Sequence, residues 1–240
     1  MQSGEKPSLE GRIALVTGAS RGIGRASAIA LAQAGAHVIL VARTVGGLEE
    51  TDDEIRKVGG SATLVPMNLR DFDAIDRLGG SIHERWGKLD AFLGNAGVLG
   101  QLTPLAHMEP KTFQEIIEVN VTANWRLIRS LDPLLRLSDA GRVLFVTSGA
   151  AKKHTAFWGG YAVSKSALEM LALTYAVECE PTAIKVNLIN PGPMRTQMRK
   201  KAMPGEDPDV LVKPEAMAAK VVEMLSPGYA LNETIVNFQK

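Results

Sequence analysis

The sequence is poor in the features that mark several classes of protein. Cys179 is the only cysteine, which excludes an internal disulfide and a site built from several thiolates. The formal net charge is only +1, not the basic excess of a dedicated nucleic-acid-binding domain. No apolar run approaches the roughly 18 residues of a membrane span, and the opening MQSGEKPSLEG lacks the apolar core of a signal peptide. These absences predict a soluble cytoplasmic protein that binds neither nucleic acid nor membrane.

Short apolar runs alternate along the chain with segments of helical spacing. The runs are nearly continuous in apolar residues, as is typical of strands covered on both faces. Strands that alternate with helices predict a parallel sheet flanked by helices. The predicted strands span residues 12–17, 37–42, 62–67, 89–94, 142–147 and 184–189. Because no break in composition and no repeat appears, the pattern predicts a single α/β domain over residues 1–240.

The first predicted helix has an apolar face and a recognisable end. Ile23, Ala26, Ala30 and Ala34 recur at helical spacing, and Gly35 follows where a C-cap glycine is expected. The helix that follows the first strand is therefore expected to end just before Gly35.

The turn between that strand and the helix reads TGASRGIG, from Thr17 to Gly24. Gly18 permits a sharp turn, while Gly22 and Gly24 keep side chains away from backbone amides that approach a phosphate. The N-terminus of the helix adds free N–H groups and the positive end of its dipole. The turn predicts a phosphate cradle, although a tight turn without a ligand fits the same glycines.

The end of the second strand bears on which dinucleotide binds. Sites that prefer NAD usually place an acid there for the ribose 2′-hydroxyl, whereas this chain has Ala42 followed by Arg43. Arg43 and Arg21 are near enough to that corner to bind a 2′-phosphate, because guanidinium groups pair with phosphate oxygens. The alternative is two solvated surface arginines. The pattern favours NADP(H) and leaves NAD(H) open.

A serine, a tyrosine and a lysine in VTSGAAKKHTAFWGGYAVSK have the chemistry of proton transfer. Tyr161 and Lys165 are four residues apart at the start of a predicted helix, so they share a face. An adjacent ammonium favours phenolate and lowers a tyrosine pKa from its ordinary value of about 10. Ser148 ends the fifth predicted strand, where its hydroxyl could hold a substrate carbonyl. Taken alone, the tyrosine and lysine also fit an ordinary exposed pair.

Together these motifs resemble the short-chain dehydrogenase/reductase family over almost the whole chain. The resemblance implies a Rossmann-like, doubly wound parallel sheet of about seven strands in a three-layer α/β/α fold. It implies that Ser148, Tyr161, Lys165 and Asn120 are catalytic, with Asn120 holding a water that relays protons through Lys165. With the two arginines added, the expected cofactor-binding residues are Gly18, Ser20, Arg21, Gly22, Ile23, Gly24, Arg43, Asn68, Leu69, Asn95, Ala96, Gly97, Tyr161, Lys165, Pro191, Gly192 and Thr196.

Three features depart from that family's pattern. Asn68 stands where the family usually has an acid for the adenine amino group, so we expect slightly weaker adenine binding. Gly94 replaces a frequent asparagine, a change expected to matter little. The last residues, ETIVNFQK, lack the family's common Asp-Gly-Gly, a region that often packs across a subunit interface. A homodimer built on helix faces is therefore expected about as readily as a homotetramer.

A long polar segment, at about residues 193–213, lies between the sixth predicted strand and the last helix. A structureless stretch of this length is usually functional or disordered, and its place at the carboxyl ends of the strands predicts a substrate lid. His154, Phe157 and Trp158 are expected to line the pocket with it, although Trp158 could equally fill core space. A basic rim would attract an anionic substrate such as an acyl thioester carrier, unless its charges form a merely solvated face. The rim cations are Lys152, Lys153, Arg195, Arg199, Lys200 and Lys201.

The sequence therefore predicts an NADPH-dependent reductase of a ketone or 3-oxoacyl-type carbonyl, or an alcohol dehydrogenase acting in reverse. Its partner would be a small-molecule substrate, and no metal site is predicted. One alternative is a regulatory module that binds NADP and senses redox state without turnover, and another is a structural interaction protein. A sensor has no need of the proton donor Tyr161, and a structural protein has no need of the glycine turn.

Overall fold

One parallel sheet organises the chain, which a computed structural model describes over residues 8–239. In chain order, β1 to β7 span Ile13–Thr17, His37–Ala42, Ser61–Pro66, Ala91–Gly94, Arg142–Val146, Lys185–Asn190 and Thr234–Asn237. The order across the sheet is β3-β2-β1-β4-β5-β6-β7. All six strands predicted from the apolar runs are confirmed to within two residues at either end, and β7 completes the seven.

The sheet reverses its direction of growth between β1 and β4. After β3 at one edge, the chain returns to place β4 beside β1, with Val16 opposite Leu93. The carboxyl ends of these two strands, at Thr17 and Gly94, therefore lie next to each other. In open α/β sheets, ligands bind in the crevice at such a point of reversal.

Helices cover both faces of the sheet. In chain order, α1 to α8 span Gly22–Gln33, Val45–Lys57, Phe72–Trp86, Pro110–Ile117, Ala123–Leu135, Gly159–Glu178, Gln197–Ala202 and Glu215–Leu225. One buried cluster joins the sheet to α1, α2 and α8, through side chains such as Leu31, Leu48 and Val221. A second joins the opposite face to α3, α5 and α6, through side chains such as Ile75, Leu131 and Leu168. The Rossmann-like three-layer fold is confirmed.

The first helix buries more than the predicted face: Ala26 is buried and Ile23, Ala30 and Ala34 pack against the core, but other residues are buried as deeply or more. Ala28 and Leu31 are fully buried, whereas Ala30 and Ala34 are only partly covered. Because α1 carries small residues on most sides and packs against α8 and α2 as well as the sheet, alanine spacing does not single out one face. Gly35 follows the helix with φ +103°, as predicted for a glycine at a helix end.

One long helical segment contains a local change of winding. The π-helical turn Glu118–Thr122 joins α4 to α5 and contains Asn120. Such turns are frequent at functional sites because they displace a residue from the regular helix. Of the helices in residues 8–239, none is both long and apolar enough to cross a membrane.

Candidate active site

A cleft of about 2320 Å³ opens at the carboxyl ends of the strands. It brings together nearly every residue predicted for cofactor binding or catalysis, from parts of the chain as distant as the β1 turn and the segment after β6. Two predicted residues, Gly24 and Asn120, lie behind the lining instead. The predicted residues that line the cleft are Gly18, Ser20, Arg21, Gly22, Ile23, Arg43, Asn68, Leu69, Asn95, Ala96, Gly97, Ser148, Tyr161, Lys165, Pro191, Gly192 and Thr196.

The glycine turn is as crowded as its sequence requires. Gly18 has φ +67°, and a Cβ there would lie 2.8 Å from Asn95 Nδ2. A Cβ on Gly24 would lie 2.5 Å from the same nitrogen and would also meet the Gly18 carbonyl oxygen. Glycine is therefore required at both positions, because the turn packs directly against the end of β4.

The N-terminus of α1 is available to an anion. Arg21 is its N-cap, and no side chain caps the first turn. Gly22 is the first residue of α1, with φ +57°, and it adds no side chain of its own to the first turn. The first N–H groups of a helix need partners, and the helix dipole favours a negative charge there. Uncapped amides that face a cleft fit the phosphates of a dinucleotide.

Thr17 is a functional residue that the site prediction omitted. Its hydroxyl accepts hydrogen bonds from the Asn95 N–H at 3.0 Å and the Ala96 N–H at 3.1 Å. It donates to the Leu93 carbonyl oxygen at 3.3 Å. The buried threonine thereby joins the ends of β1 and β4. Its place directly before the first glycine of the motif was the signal that could have identified it.

At the end of β2, the structure brings Arg21 and Arg43 to the cleft beside Ala42, as the sequence predicted. Ala42 is buried, and Arg21 and Arg43 are exposed at the cleft. Neither guanidinium forms an ion pair with a carboxylate of residues 8–239. The neighbouring Arg25, by contrast, pairs with Glu50 at 3.0 Å. Arg21 and Arg43 are therefore the cations at this corner that remain available to a phosphate.

Tyr161 and Lys165 are buried side by side at the start of α6. The Lys165 Nζ lies 5.7 Å from the centroid of the Tyr161 ring and donates a hydrogen bond to the Val146 carbonyl oxygen at 2.8 Å. Ser148 lies at the end of β5, and its Oγ accepts from the Ala150 N–H at 3.2 Å. The three side chains line one part of the cleft.

The pKa values of this group differ from the prediction. Burial raises the pKa of Tyr161 to about 12, and the nearby hydroxyl of Ser148 offsets only part of that rise. Burial lowers the pKa of Lys165 to about 8, against the opposing effect of the Glu169 carboxylate. The predicted lowering by an adjacent ammonium is wrong for the chain by itself, because desolvation of the phenolate is the larger effect.

Asn120 has most of its polar atoms engaged. Its Nδ2 donates to the Val98 carbonyl oxygen and to Ser164 Oγ, both at 2.9 Å, and its Oδ1 accepts from the Val98 N–H at 2.8 Å. A Cβ on Gly97 would lie 3.3 Å from Asn120 Oδ1 and 3.6 Å from Lys165 Nζ. The missing side chain of Gly97 therefore leaves space between these two polar atoms.

Two of the three departures from the family pattern, at Asn68 and Gly94, have local causes. Asn68 Oδ1 accepts from the Arg70 N–H at 3.2 Å, so one acceptor site of the predicted adenine partner is already used. A Cβ on Gly94 would overlap the Phe145 ring, at 2.7 Å from Cε1, and would lie 3.1 Å from Asn124 Oδ1. Glycine at position 94 thus accommodates the phenylalanine on the neighbouring strand.

The predicted lid has more structure than its sequence indicated. It contains α7 and a short 3₁₀ turn, Pro208–Val210, and Met194 pairs with Val212 as a β-bridge. The prediction of a structureless segment is wrong, because Thr196 caps α7 through its hydroxyl and an apolar residue closes each end of the loop. Near the start of this segment, Thr196 lies close to the glycine turn: a Cβ added to Gly22 would lie 3.5 Å from the Thr196 methyl group.

The basic rim is partly neutralised. Arg199 pairs with Glu206 through hydrogen bonds of 2.5 and 2.6 Å, and Arg195 pairs with Asp209 at 2.9 Å. Both ion pairs lie within the predicted lid, and they neutralise two of the six predicted rim cations. Of the other four, the three that line the cleft are Lys153, Lys200 and Lys201.

The aromatic residues before Tyr161 separate into two groups. Trp158 lines the cleft, with its ring centroid 6.1 Å from that of Tyr161 in an edge-to-face arrangement. His154 and Phe157 are exposed and lie outside the lining, so their predicted place in the pocket is wrong. The backbone at Phe157 is unusual, with φ +72°. Thr155 lines the cleft instead.

Gln239 closes the far side of the cleft and was not predicted. Its Nε2 donates to the carbonyl oxygens of Pro191 and Pro193, at 2.7 and 2.8 Å. Gly192 between them has φ +71°, and its N–H donates to Asn190 Oδ1 at 3.2 Å. The turn expected near the nicotinamide is thereby held on two sides.

Several characterised and uncharacterised proteins are similar to this chain. An uncharacterised oxidoreductase, YciK, from Escherichia coli is 38% identical over 209 residues, covering 86% of this chain and 82% of its own. An uncharacterised NAD-dependent oxidoreductase from Mycobacterium tuberculosis is 33% identical, covering 92% of this chain and 80% of its own. A 3-oxoacyl-[acyl-carrier-protein] reductase from Synechocystis is 30% identical, covering 79% and 77%.

The fold and the sequence profile agree with these relatives. A crystal structure of a short chain dehydrogenase from Escherichia coli complexed with NADPH superposes with a TM-score of 0.92 at 34% identity, covering 99% of this chain and 100% of the other. The short chain dehydrogenase family profile matches residues 12–207, from the start of β1 into the lid. Its relatives are oxidoreductases and its site fits a dinucleotide; this chain belongs to the short chain dehydrogenase family of oxidoreductases.

Proposed function

We propose that this chain catalyses the NADPH-dependent reduction of a ketone or 3-oxoacyl-type carbonyl to the alcohol, or the reverse oxidation. The observation that carries the proposal is that Ser148, Tyr161 and Lys165 line the same cleft as the uncapped N-terminus of α1. A proton donor and a dinucleotide cradle in one cleft fit carbonyl reduction better than binding alone.

The residues at the cleft would divide the work of one proton transfer. NADPH supplies a hydride to the carbonyl carbon when it is bound. Tyr161 donates its phenol proton to the carbonyl oxygen, and the Ser148 hydroxyl donates a hydrogen bond to that oxygen as negative charge develops there. Because burial raises the pKa of Tyr161 to about 12, the phenol carries its proton at neutral pH.

Lys165 would restore the proton that Tyr161 gives up. Its ammonium is mostly charged below its pKa of about 8, so it stabilises the phenolate left after donation. A water in the space beside Gly97 would lie between Lys165 Nζ and Asn120 Oδ1 and carry protons to the lysine. This assigns Asn120 the relay role and explains why position 97 is glycine.

The preference for NADPH is proposed on the corner at the end of β2. Arg21 and Arg43 remain available there, and Ala42 offers no carboxylate to a ribose 2′-hydroxyl. The NADPH complex of the Escherichia coli relative is consistent with this preference. The NAD-dependent relative from Mycobacterium tuberculosis keeps NAD(H) as the second cofactor to be tested.

We further propose that residues 1–240 form one domain and that residues 193–213 are its substrate lid. Met194, Met198, Met203 and Leu211 of this segment line the same cleft as Trp158 and would give the substrate an apolar wall. Methionine side chains adapt to varied apolar shapes, which suits the acyl chain of a 3-oxoacyl substrate. A small-molecule substrate of this class is also what the Synechocystis relative's name describes.

A homodimer or homotetramer is proposed on an exposed apolar face of α6. On α6, Val163, Met170 and Val177 recur every seven residues and are 48%, 66% and 48% exposed. Apolar residues at this spacing form the seam of packed helix pairs. Light scattering after gel filtration would give the mass of the assembly. A cytoplasmic location is proposed on the lone buried Cys179, which needs no oxidising compartment.

Titration with NADPH and with NADH, followed by nicotinamide fluorescence, tests the cofactor half of the proposal. Tighter binding of NADPH is expected, while equal affinity would remove the assigned role of the arginines. Turnover on a 3-oxoacyl thioester and on a neutral ketone over a salt series then tests the substrate half. If the thioester is presented on an anionic carrier, its faster turnover, falling as salt is added, is expected from Lys153, Lys200 and Lys201. Absence of any carbonyl reduction would contradict the proposal.

A further inference from the structure

A buried carboxylate lies directly behind the proposed catalytic group. Glu169, on α6, is 9% exposed and follows Lys165 by four residues, one helical turn. Its Oε1 accepts a hydrogen bond of 2.8 Å from the hydroxyl of Thr147, which is 2% exposed. It forms no ion pair with any cation of residues 8–239. Burying a carboxylate is costly without compensation, so this position calls for an explanation that core packing does not supply.

The first partner of Glu169 is the charge of Lys165. Lys165 is 3% exposed, and burial lowers its pKa while the Glu169 carboxylate opposes that effect. The groups that face Lys165 are Tyr161 and Glu169 on its own helix, Asn120 on the π-helical turn, Gly97, and the Val146 carbonyl oxygen on β5. Among these groups, Glu169 is the one carboxylate.

The second partner is the strand that carries Ser148. Val146 accepts from Lys165 and the next residue, Thr147, donates to Glu169, so two consecutive residues of the β5 end are tied to α6. Thr147 is also held on its other side, because its N–H donates to the Ile189 carbonyl oxygen at 2.9 Å. Ser148 follows directly, and its direction depends on the position of Thr147.

We propose that Glu169 is a positioning residue of the active site: its carboxylate keeps the Lys165 ammonium charged and, through Thr147, fixes the end of β5 that presents Ser148. The inference rests on the proposed function of Ser148, Tyr161 and Lys165. It assigns two separable contributions, a charge and a hydrogen bond, to one side chain.

Two variants separate these contributions. Glu169→Gln removes the charge but keeps an oxygen that accepts from Thr147. Thr147→Val keeps the charge but removes the hydroxyl at nearly constant volume. Glu178→Gln is the matched control, because Glu178 lies on the same helix and is exposed.

The first measurement needs no turnover. The protein is labelled with 13C at lysine Cε, the Lys165 signal is assigned with Lys165→Met, and the titration is followed by NMR. In Glu169→Gln we expect Lys165 to lose its proton about one pH unit lower than in the unchanged chain. Thr147→Val and Glu178→Gln should leave this titration in place.

The second measurement is the pH dependence of carbonyl reduction with NADPH. Removing a nearby negative charge lowers the lysine pKa, so Glu169→Gln should lose activity at lower pH than the unchanged chain, by the same interval as in the NMR titration. Thr147→Val should lower kcat about tenfold at every pH, because misplacing Ser148 weakens its contact with the carbonyl oxygen. If the role of Glu169 were purely structural, its substitution would not shift the pH at which activity is lost.

The outcomes are distinguishable from failure of the proposed function. An unchanged Lys165 titration in Glu169→Gln overturns the charge contribution, whether or not the protein reduces carbonyls. An unchanged kcat in Thr147→Val overturns the positioning contribution. If Glu169→Gln does not fold, Glu169→Asp replaces it, because it keeps the charge while its shorter side chain loses the hydrogen bond from Thr147. An unshifted Lys165 titration with a reduced kcat is then expected. A normal kcat would overturn the proposal.

Discussion

The side-chain amide of Asn95 donates a hydrogen bond of 2.9 Å to the main-chain carbonyl of Thr17, joining the turn after β4 to the glycine turn after β1. The Thr17 hydroxyl returns the contact by accepting from the Asn95 N–H at 3.0 Å. Because these bonds fix Asn95 against the turn, the first residues of α1 must approach it closely. The phosphate cradle is therefore a product of two strand ends and not of the glycine motif alone.

Gly24→Ala should destroy this arrangement. The added Cβ would lie 2.5 Å from Asn95 Nδ2 and would meet the Gly18 carbonyl oxygen. We expect the free energy of unfolding to fall by about 1–3 kcal/mol and the Kd for NADPH to rise at least about tenfold, measured by urea unfolding and fluorescence titration. Gly80→Ala, in α3, is the control, because a Cβ there meets nothing within 4 Å; it should be neutral or stabilising. Equal effects of the two would contradict the role of close packing.

Tyr161→Phe should separate chemistry from binding. The variant keeps the ring that packs edge-to-face with Trp158 but loses the phenol proton. We expect kcat for carbonyl reduction to fall by about 10²–10⁴-fold, with the Kd for NADPH changed by less than about twofold. Tyr229→Phe, at a partly exposed tyrosine near α8, should leave both kcat and the Kd for NADPH unchanged. Loss of NADPH binding together with turnover would mark Tyr161 as a structural residue.

How much the sequence could predict follows from the range of the interactions involved. The five inner strands of the sheet are buried on both faces, so their apolar runs identify them without knowledge of their partners. The glycine turn is equally local, because a positive φ at Gly18 and Gly22 restricts which residue can stand there. The close approach of Tyr161 to Lys165 depends only on one helical turn.

Features that depend on packing between distant segments were not predictable from spacing. The bond from Thr147 to Glu169 requires knowing where α6 crosses β5, and that of Gln239 to Pro191 joins residues 48 positions apart. The raised pKa of Tyr161 depends on the burial of the whole cleft wall. Phe157 is exposed and lies outside the cleft, and its positive φ is not apparent from any side-chain pattern.

Arg21→Gln and Arg43→Gln test the cofactor preference. Each variant would lose charge-assisted hydrogen bonds to the 2′-phosphate, about 1.5–3 kcal/mol, so the Kd for NADPH should rise about 10- to 100-fold. The Kd for NADH, which lacks that phosphate, should stay within about twofold. Arg25→Gln is the control, because Arg25 is paired with Glu50. A parallel loss of NADH binding would assign the arginines to the shared diphosphate instead.

Asp90→Asn should destabilise the fold at the opposite end of the sheet. Asp90 is 2% exposed and accepts from Arg12 at 3.0 Å, Lys88 at 2.9 Å and the Ser138 hydroxyl. We expect a loss of about 1–3 kcal/mol in urea unfolding at pH 7, because an amide cannot accept from all the donors that the buried carboxylate satisfies. Arg12 keeps Asp139 as its partner. Asp139→Asn removes the exposed partner of the same arginine and should cost much less, because solvent screens an exposed ion pair. Similar losses would mean that burial does not set the contribution.

The same carboxylate predicts a pH dependence of stability. Burial raises the pKa of Asp90, but hydrogen bonds from Ser138, the Ile13 N–H and Lys88 outweigh it and hold the pKa below its usual value. A lowered pKa in the folded state stabilises the protein above the unfolded value near 4, and the gain is lost as pH falls further. Unfolding followed from pH 5 to pH 2 should therefore show a steeper decline for the unchanged chain than for Asp90→Asn.

Gln239→Met tests whether the turn at Pro191–Pro193 depends on the last strand. Methionine keeps the length of the side chain but cannot donate to the carbonyl oxygens of Pro191 and Pro193, now 2.7 and 2.8 Å from Nε2. Losing two neutral hydrogen bonds should cost about 1–3 kcal/mol in holding the turn, which predicts a Kd for NADPH higher by about tenfold. Gln33→Met, at an exposed position on α1, is the control and should bind normally. Normal affinity in Gln239→Met would mean that the bond from the Gly192 N–H to Asn190 is sufficient to hold the turn.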